Sequence, residues 1–250
     1  MKNTILILSA VLLLTQGCKQ ADKSEPERVS LDIKSADNIT LKADYYQNAG
    51  NDKPLILLFH QAGYSRGEYR EIGPKLNELG FRCLAIDQRS GKEVNEITNE
   101  AFVQASNKGL ATNYVDALPD LRAAVEYAHK RYDAEEIILW GSSYSSSLVF
   151  ILATEYPGMV KGILSFSPGE YFQYNDKAIS AYASQVQVPV FITSSGAEKE
   201  LCTPIFEAIP SDKQYYLPDF EGYHGSKALW QANEGNEKYW QEVKAFLAKY

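Results

Sequence analysis

The stretch Ile137-Ile138-Leu139-Trp140-Gly141-Ser142-Ser143-Tyr144-Ser145 decides how the rest of the chain is read. Its first four residues form a continuous apolar run, the pattern of a strand covered on both faces. Leu148 to Ala153, apolar almost all round, marks a helix over Ser143–Tyr156 that is buried beside a sheet. Between strand and helix stands Ser143, with small Gly141 two residues before it and small Ser145 two after. A very tight strand-to-helix turn lifts its central side chain above the sheet edge, and only small neighbours leave it room. The helix start behind Ser143 offers backbone N–H groups and a favourable dipole end to a developing oxyanion. Taken alone, the same letters also describe a Ser-rich helix start in which Ser142 or Ser143 is a simple N-cap. The surrounding sequence has to choose.

Outward from this segment, strand and helix patterns alternate. Upstream, Arg28–Ser35 and Ile39–Gln47 alternate apolar and polar residues around Ala36-Asp37-Asn38, which predicts a hairpin. Leu55-Ile56-Leu57-Leu58-Phe59 is a buried strand, Arg66–Leu79 a helix ended by Gly80, Phe81–Asp87 a strand and Asn113–Arg131 a helix. Downstream come strands at Val160–Phe166 and Val188–Thr193, a short helix at Leu201–Ile209, a strand at Gln214–Leu217 and a helix at Asn236–Tyr250. This order predicts one α/β domain: a mostly parallel sheet with helices on both faces and an antiparallel N-terminal hairpin. Such sheets carry their chemistry at the carboxyl ends of the strands. The long connections Gln88–Thr112 and Ser167–Gln187 reach that edge and are expected to wall a pocket.

A serine nucleophile needs a base, and the chain has three histidines. His60 ends a strand, and His129 lies late in a helix where a solvated role is expected. His224 occupies a glycine-flanked loop, Gly222-Tyr223-His224-Gly225, between the last strand and the last helix. In a serine, acid, histidine chain order, that loop is where the base belongs.

Five segments together give a family resemblance: His60-Gln61-Ala62-Gly63, Ala85-Ile86-Asp87-Gln88-Arg89-Ser90-Gly91, Gly141-Ser142-Ser143-Tyr144-Ser145, Phe166-Ser167-Pro168-Gly169-Glu170-Tyr171 and His224-Gly225-Ser226. From Arg28 to Tyr250 the chain resembles an α/β-hydrolase of the dienelactone-hydrolase-like esterase group. The resemblance implies Ser143 as nucleophile, His224 as base, and an oxyanion hole from the amides of Ala62 and Tyr144. It implies a serine hydrolase that cleaves an ester or related acyl bond of a small substrate. A peptidase on the same fold and an inactive, surface-anchored binding module are the alternatives. Ser145 replaces the last glycine of the usual turn, and Gln61 replaces the glycine after His60; backbone donors remain in both places. Gln61 either adds a side-chain amide for substrate or merely occupies space. Dienelactone hydrolases use a cysteine nucleophile, so Ser143 points to the broader esterase-like relatives.

The acid is left with several candidates. Ser194 to Glu200 follows the strand usually preceding the acid, and Glu198 stands at the customary distance, with Glu200 close behind. Glu170, past an earlier strand, and Asp219 are the other possibilities. Arg66 and Arg89 lie at the carboxyl edge, where each either grips a substrate carboxylate or forms an ordinary ion pair. Arg89 is expected, with Gln61, to bind substrate. The phosphate-binding, dinucleotide-binding and H-E-x-x-H patterns do not occur, so no cofactor or metal is implied.

The N-terminus reads as an export signal over residues 1–17 and a polar tether over 18–27, ahead of a domain at 28–250. Lys2 precedes an apolar stretch too short to span a membrane comfortably, which closes on Thr15-Gln16-Gly17-Cys18. That ending resembles a bacterial lipoprotein box with Cys18 lipidated; the plainer reading is a secretory signal with a coincidental cysteine. The expectation is a protein exported to the bacterial cell envelope and held on a membrane. The net charge of −7 argues against a nucleic-acid partner, and no protein partner is implied. Three cysteines are too few for a disulfide scaffold; Cys83 reads as a buried hydrophobe, and a Cys83–Cys202 bridge is not demanded.

Overall fold

Short apolar runs build the sheet, and the residues between them build the helices that cover it. The computed structural model describes residues 28–48, 50 and 52–250. The expected export signal and tether, with Cys18, fall in residues 1–27, which lie outside the described residues. In chain order the elements are β1 (Arg28–Lys34), β2 (Thr40–Tyr46), β3 (Leu55–Phe59), α1 (Ile72–Glu78), β4 (Cys83–Ile86), β5 (Glu93–Val94), β6 (Ile97–Thr98), α2 (Glu100–Asn107) and α3 (Leu118–Tyr132). They continue with β7 (Ile137–Ser142), α4 (Tyr144–Glu155), β8 (Val160–Phe166), α5 (Ile179–Ala183), β9 (Val190–Thr193), α6 (Lys199–Ala208), β10 (Lys213–Tyr216) and α7 (Asn236–Leu247). Eight strands form one sheet in the order β1-β2-β4-β3-β7-β8-β9-β10. β1 pairs antiparallel with β2, and β2 with β4; every other pairing in this sheet is parallel. The hairpin β5-β6 forms a separate two-stranded sheet.

Alternation along the strands splits the core between the two faces. Leu55, Leu57 and Phe59 of β3 join Leu139, Leu121 and Val149 under α3 and α4. Ile56 and Leu58 point the other way and meet Trp140, Leu76, Trp240 and Phe246 under α1 and α7. Cys202 belongs to the first cluster and Cys83 to the second, so the sheet separates the two thiols and both are free. Burial pushes the Cys83 thiol well above its ordinary value.

Two expected helices differ from the structure for the same reason. Arg66–Leu79 splits into a 3-10 turn at Arg66–Tyr69 and a helix that starts only at Ile72. Pro74 has no N–H to give and its ring would strike the carbonyl of Arg70, so one helix cannot run through it. Pro119 likewise stands in the first turn of α3, which begins at Leu118 after a 3-10 turn rather than at Asn113. The connection after β4 contains β5, β6 and α2, whose weak apolar patterning had read as loop.

Candidate active site

All strands from β3 to β10 in the main sheet run the same way, so the loops after β3, β4, β7, β8, β9 and β10 emerge at one edge. The turn after β7 passes directly from strand into helix at Ser143. Ser143 has φ 57° and ψ −124°, a left-handed conformation that costs a non-glycine residue about 1–3 kcal/mol. Its own N–H donates to Phe166 O at 2.8 Å, which fixes the turn against β8. Gly141 is required here: a Cβ would lie 2.4 Å from the carbonyl oxygen of Ser145. Ser145 fits in place of a glycine because it is buried with partners, donating to His60 O at 2.6 Å and accepting from Gln88 Nε2 at 2.8 Å. Ser143 is half-buried at the edge, whereas neighbouring Ser142 is wholly buried.

The amides of Ala62 and Tyr144 have no acceptor among the described residues. His60 shapes the first of these two loops. Its Nδ1 donates to Gln61 O at 2.8 Å, while its Nε2 accepts from Gln88 N at 3.2 Å and from Asn99 Nδ2 at 3.1 Å. Complete burial lowers its pKa to about 4, so the ring is a neutral pin for the loop. His129 is exposed on α3.

His224 and Glu198 meet: the histidine Nδ1 is hydrogen-bonded to Glu198 Oε1, the ring is partly exposed, and Nε2 has no hydrogen-bond partner among the described residues. Glu198 Oε2 accepts from Ser195 Oγ at 2.7 Å, Ser195 N at 3.0 Å and Ser167 Oγ at 2.9 Å. Burial pushes this carboxyl up, but the hydrogen bonds from His224 and Ser195 outweigh it and hold the pKa at about 2. Ser167 in turn accepts from Gly225 N at 2.9 Å, tying the histidine loop to the acid. The other acid candidates are engaged elsewhere. Glu170 caps α5 by accepting from Ile179 N and Ser180 N, Asp219 pairs with Lys238, and Glu200 is exposed on α6. No hydrogen bond joins Ser143 Oγ to His224 among the described residues; such contacts commonly tighten only around substrate.

The two proposed substrate-binding side chains are placed differently from expectation. Arg89 is 4% exposed and its guanidinium is spent on Asp120 (2.6 and 2.9 Å) and Asp37 (2.6 and 2.9 Å). It clamps the β1-β2 turn to α3, so the ion-pair reading replaces the substrate reading. Arg66 is held similarly by Asp87 and Asp44. Gln61 is buried with its amide side chain against Gly225, where it occupies space beneath the histidine loop.

Of the two long connections, Ser167–Gln187 supplies an aromatic wall, joined by Tyr114 from just beyond Gln88–Thr112. Tyr114 stacks on Tyr144 at 4.9 Å and meets Tyr171 and Phe172 edge-on at 6.4 Å. The Tyr171 hydroxyl donates to Ser167 O at 2.8 Å and neighbours Ser143. A separate hollow of about 320 Å³ lies between Asp37, Leu110, Pro119 and Tyr174; neither Ser143 nor His224 lines it. Sequence reasoning missed Ser167, Ser195 and Glu68, the last hidden inside a segment that reads as ordinary helix. Among the described residues, no group of three His, Cys, Asp or Glu is arranged to hold a metal ion.

Residues 54–202 match the family described as alpha/beta hydrolase fold, and the chain belongs to that family. Its structure is similar to that of a dienelactone hydrolase from Anabaena variabilis, with a TM-score of 0.71 at 16% identity, covering 91% of this chain and 99% of that one. It is also similar to an esterase from Pyrococcus furiosus, with a TM-score of 0.70 at 16% identity, covering 90% and 93% of the two chains. An acylaminoacyl peptidase from Pyrococcus horikoshii aligns at 15% identity with a TM-score of 0.64, over 89% of this chain and 41% of its own. No curated protein matches the chain.

Proposed function

We propose that this protein is a serine hydrolase that cleaves an ester or related acyl bond of a small substrate. The observation that supports the reading most is Ser143 on its strained turn at the sheet edge, in a chain that also holds His224 against Glu198 and leaves the Ala62 and Tyr144 amides without acceptors among the described residues. Ser143 Oγ attacks the carbonyl while His224 Nε2 takes its proton, and Glu198 keeps Nδ1 protonated and stabilises the imidazolium. The negative charge that develops on the carbonyl oxygen falls between the Ala62 and Tyr144 amides. His224 returns the proton to the leaving alcohol, then activates water to release the acyl group from Ser143. The aromatic wall of Tyr114, Tyr171 and Phe172 suits an apolar part of the substrate.

A fluorophosphonate probe tests this directly. Wild-type protein labels on Ser143 and hydrolyses small aryl esters, and Ser143→Ala abolishes both while remaining folded. An unlabelled wild type would identify an inactive binding module instead. Peptidase action is the second reading, and an aminoacyl-anilide assay beside the ester panel separates it. The protein is further proposed to be exported and anchored through a lipid on Cys18, a reading supported by the apolar stretch that closes on Gly17-Cys18.

A further inference from the structure

Four carboxylates are buried near this edge of the sheet, and three of them face arginine. Asp44 pairs with Arg28 and Arg66, Asp87 with Arg66 and Asp120 with Arg89. Glu68 is wholly buried and forms no ion pair among the described residues. The charges that reach it, His224 and Lys227, act from a distance. An unpaired carboxyl in such a place is unfavourable unless its hydrogen bonds serve a purpose.

Those bonds join three loops of the site. Glu68 Oε2 accepts from Gln61 N at 2.8 Å, the amide immediately before Ala62. Its Oε1 accepts from Ser142 Oγ at 2.7 Å, the residue immediately before Ser143. Ser142 Oγ accepts from Ser226 N at 2.8 Å, two residues beyond His224. The backbone carbonyl of Glu68 accepts from Trp230 Nε1 at 2.8 Å, which ties the same turn to the segment after the histidine. Only a carboxylate can accept from both a backbone N–H and a hydroxyl with its two terminal atoms; a side-chain amide has one acceptor.

We propose that Glu68 is a positioning residue: it fixes the oxyanion loop and the nucleophile turn relative to each other, so that the Ala62 and Tyr144 amides converge on one oxygen. The proposal rests on reading Ser143 as the nucleophile. Glu68 touches no substrate; it acts through Gln61 and Ser142. Displacement of either amide weakens the transition state more than the ground state, because the oxyanion exists only in the former.

The test is Glu68→Gln, with Ser142→Ala and the double variant, assayed on p-nitrophenyl acetate and normalised to the sites titrated by a fluorophosphonate. In Glu68→Gln, kcat per titrated site falls about 10²-fold while KM stays within about twofold, the scale of loss for misplaced or missing oxyanion donors. Binding of phenylboronic acid, whose adduct on serine is tetrahedral, weakens in parallel. Ser142→Ala, which breaks one of the two bonds to the carboxylate, loses about tenfold, and the double variant is no worse than Glu68→Gln because both act through one contact. Glu68→Gln with wild-type kcat per site overturns the proposal, as does strict additivity. Should Glu68→Gln fail to fold, full kcat in Ser142→Ala overturns it alone. A wild-type protein that neither labels nor turns over ester overturns the hydrolase reading and this proposal together, whereas an active wild type with an equally active Glu68→Gln overturns this proposal only.

Discussion

Glu198 and Glu68 both connect to the histidine loop, one directly and one through Ser142, and their surroundings drive them in opposite directions. Glu198 is held at about 2 by donors from His224 and Ser195 that exceed its burial penalty. Its ionised form is therefore favoured by folding, and the stability this contributes is present above about 4.5 and is lost as pH falls toward 2. Glu198→Gln removes the charge that supports the imidazolium, so kcat is expected to fall about 10³–10⁴-fold with KM little changed, measured by steady-state ester hydrolysis. Full activity in that variant, with loss in Glu170→Gln, would move the acid to the loop after β8. Glu68 shows the reverse balance: burial raises it to about 7 despite donors from Ser142 and Gln61. The folded protein then retains a proton that the unfolded chain releases, and stability declines as pH rises from about 4.5 to about 7. Glu68→Gln cannot ionise, so thermal melts should show the variant gaining on wild type across that window. The gain amounts to about 3 kcal/mol at completion, given a displacement from 4.5 to about 7. A constant difference between the two melting curves from pH 4 to 8 would show that Glu68 is not buried unpaired.

At the scale of elements, the strand-to-helix unit β7-α4 is locally specified. Gly141 admits the close approach of Ser145, and the apolar run from Leu148 to Leu152 buries α4 against the sheet from Tyr144 to Ala153. The clamp between the β1-β2 turn and α3 is not local at all. Arg89 meets Asp37 and Asp120 across separations of 52 and 31 residues, and Asp120 has no exposure to share with water. Removing one partner of such a pair leaves a buried charge uncompensated. Arg89→Ala should therefore destabilise the protein by about 3–5 kcal/mol in denaturant unfolding. Its KM for a carboxylate-bearing ester should change no more than for a neutral one. An unchanged stability with a KM defect confined to the anionic ester would restore Arg89 to the substrate.

For the molecule as a whole, the parallel sheet gathers six loops at one edge, and the chain's first 27 residues precede it in sequence. If Cys18 carries lipid, mature protein is expected in the membrane fraction, with acyl chains found on Cys18 by mass spectrometry. More than one chain on that residue gives stable anchoring where a single chain is marginal. Cys18→Ser should block processing or release the protein, while ester hydrolysis by Ala21–Tyr250 stays unchanged. A soluble wild type with an unmodified cysteine would refute the anchor and leave the chemistry at Ser143 untouched.

Much of the architecture is legible along the chain because its causes are short-range. Apolar runs such as Leu55–Phe59 and Ile137–Trp140 can only be strands buried on both faces, and Gly141 with Ser143 marks the turn between strand and helix. The broken helix around Pro74 was also written locally, though the apolar spacing of Ile72 and Leu76 concealed it. What the linear pattern could not decide is which charges meet. Glu198 was one carboxylate among four until folding set it against His224, and Arg89 had no identifiable partner until Asp37 and Asp120 closed on it. Glu68 sits in a helical-looking run of polar residues, and its role is visible only once Gln61 and Ser142 meet its carboxylate and Ser226 meets Ser142. Hydrophobic burial is proportional to area and repeats with the period of an element, so sequence carries it openly. Hydrogen bonds and ion pairs depend on atoms placed within about 3 Å, and only the assembled fold brings residues so far apart in sequence to that distance.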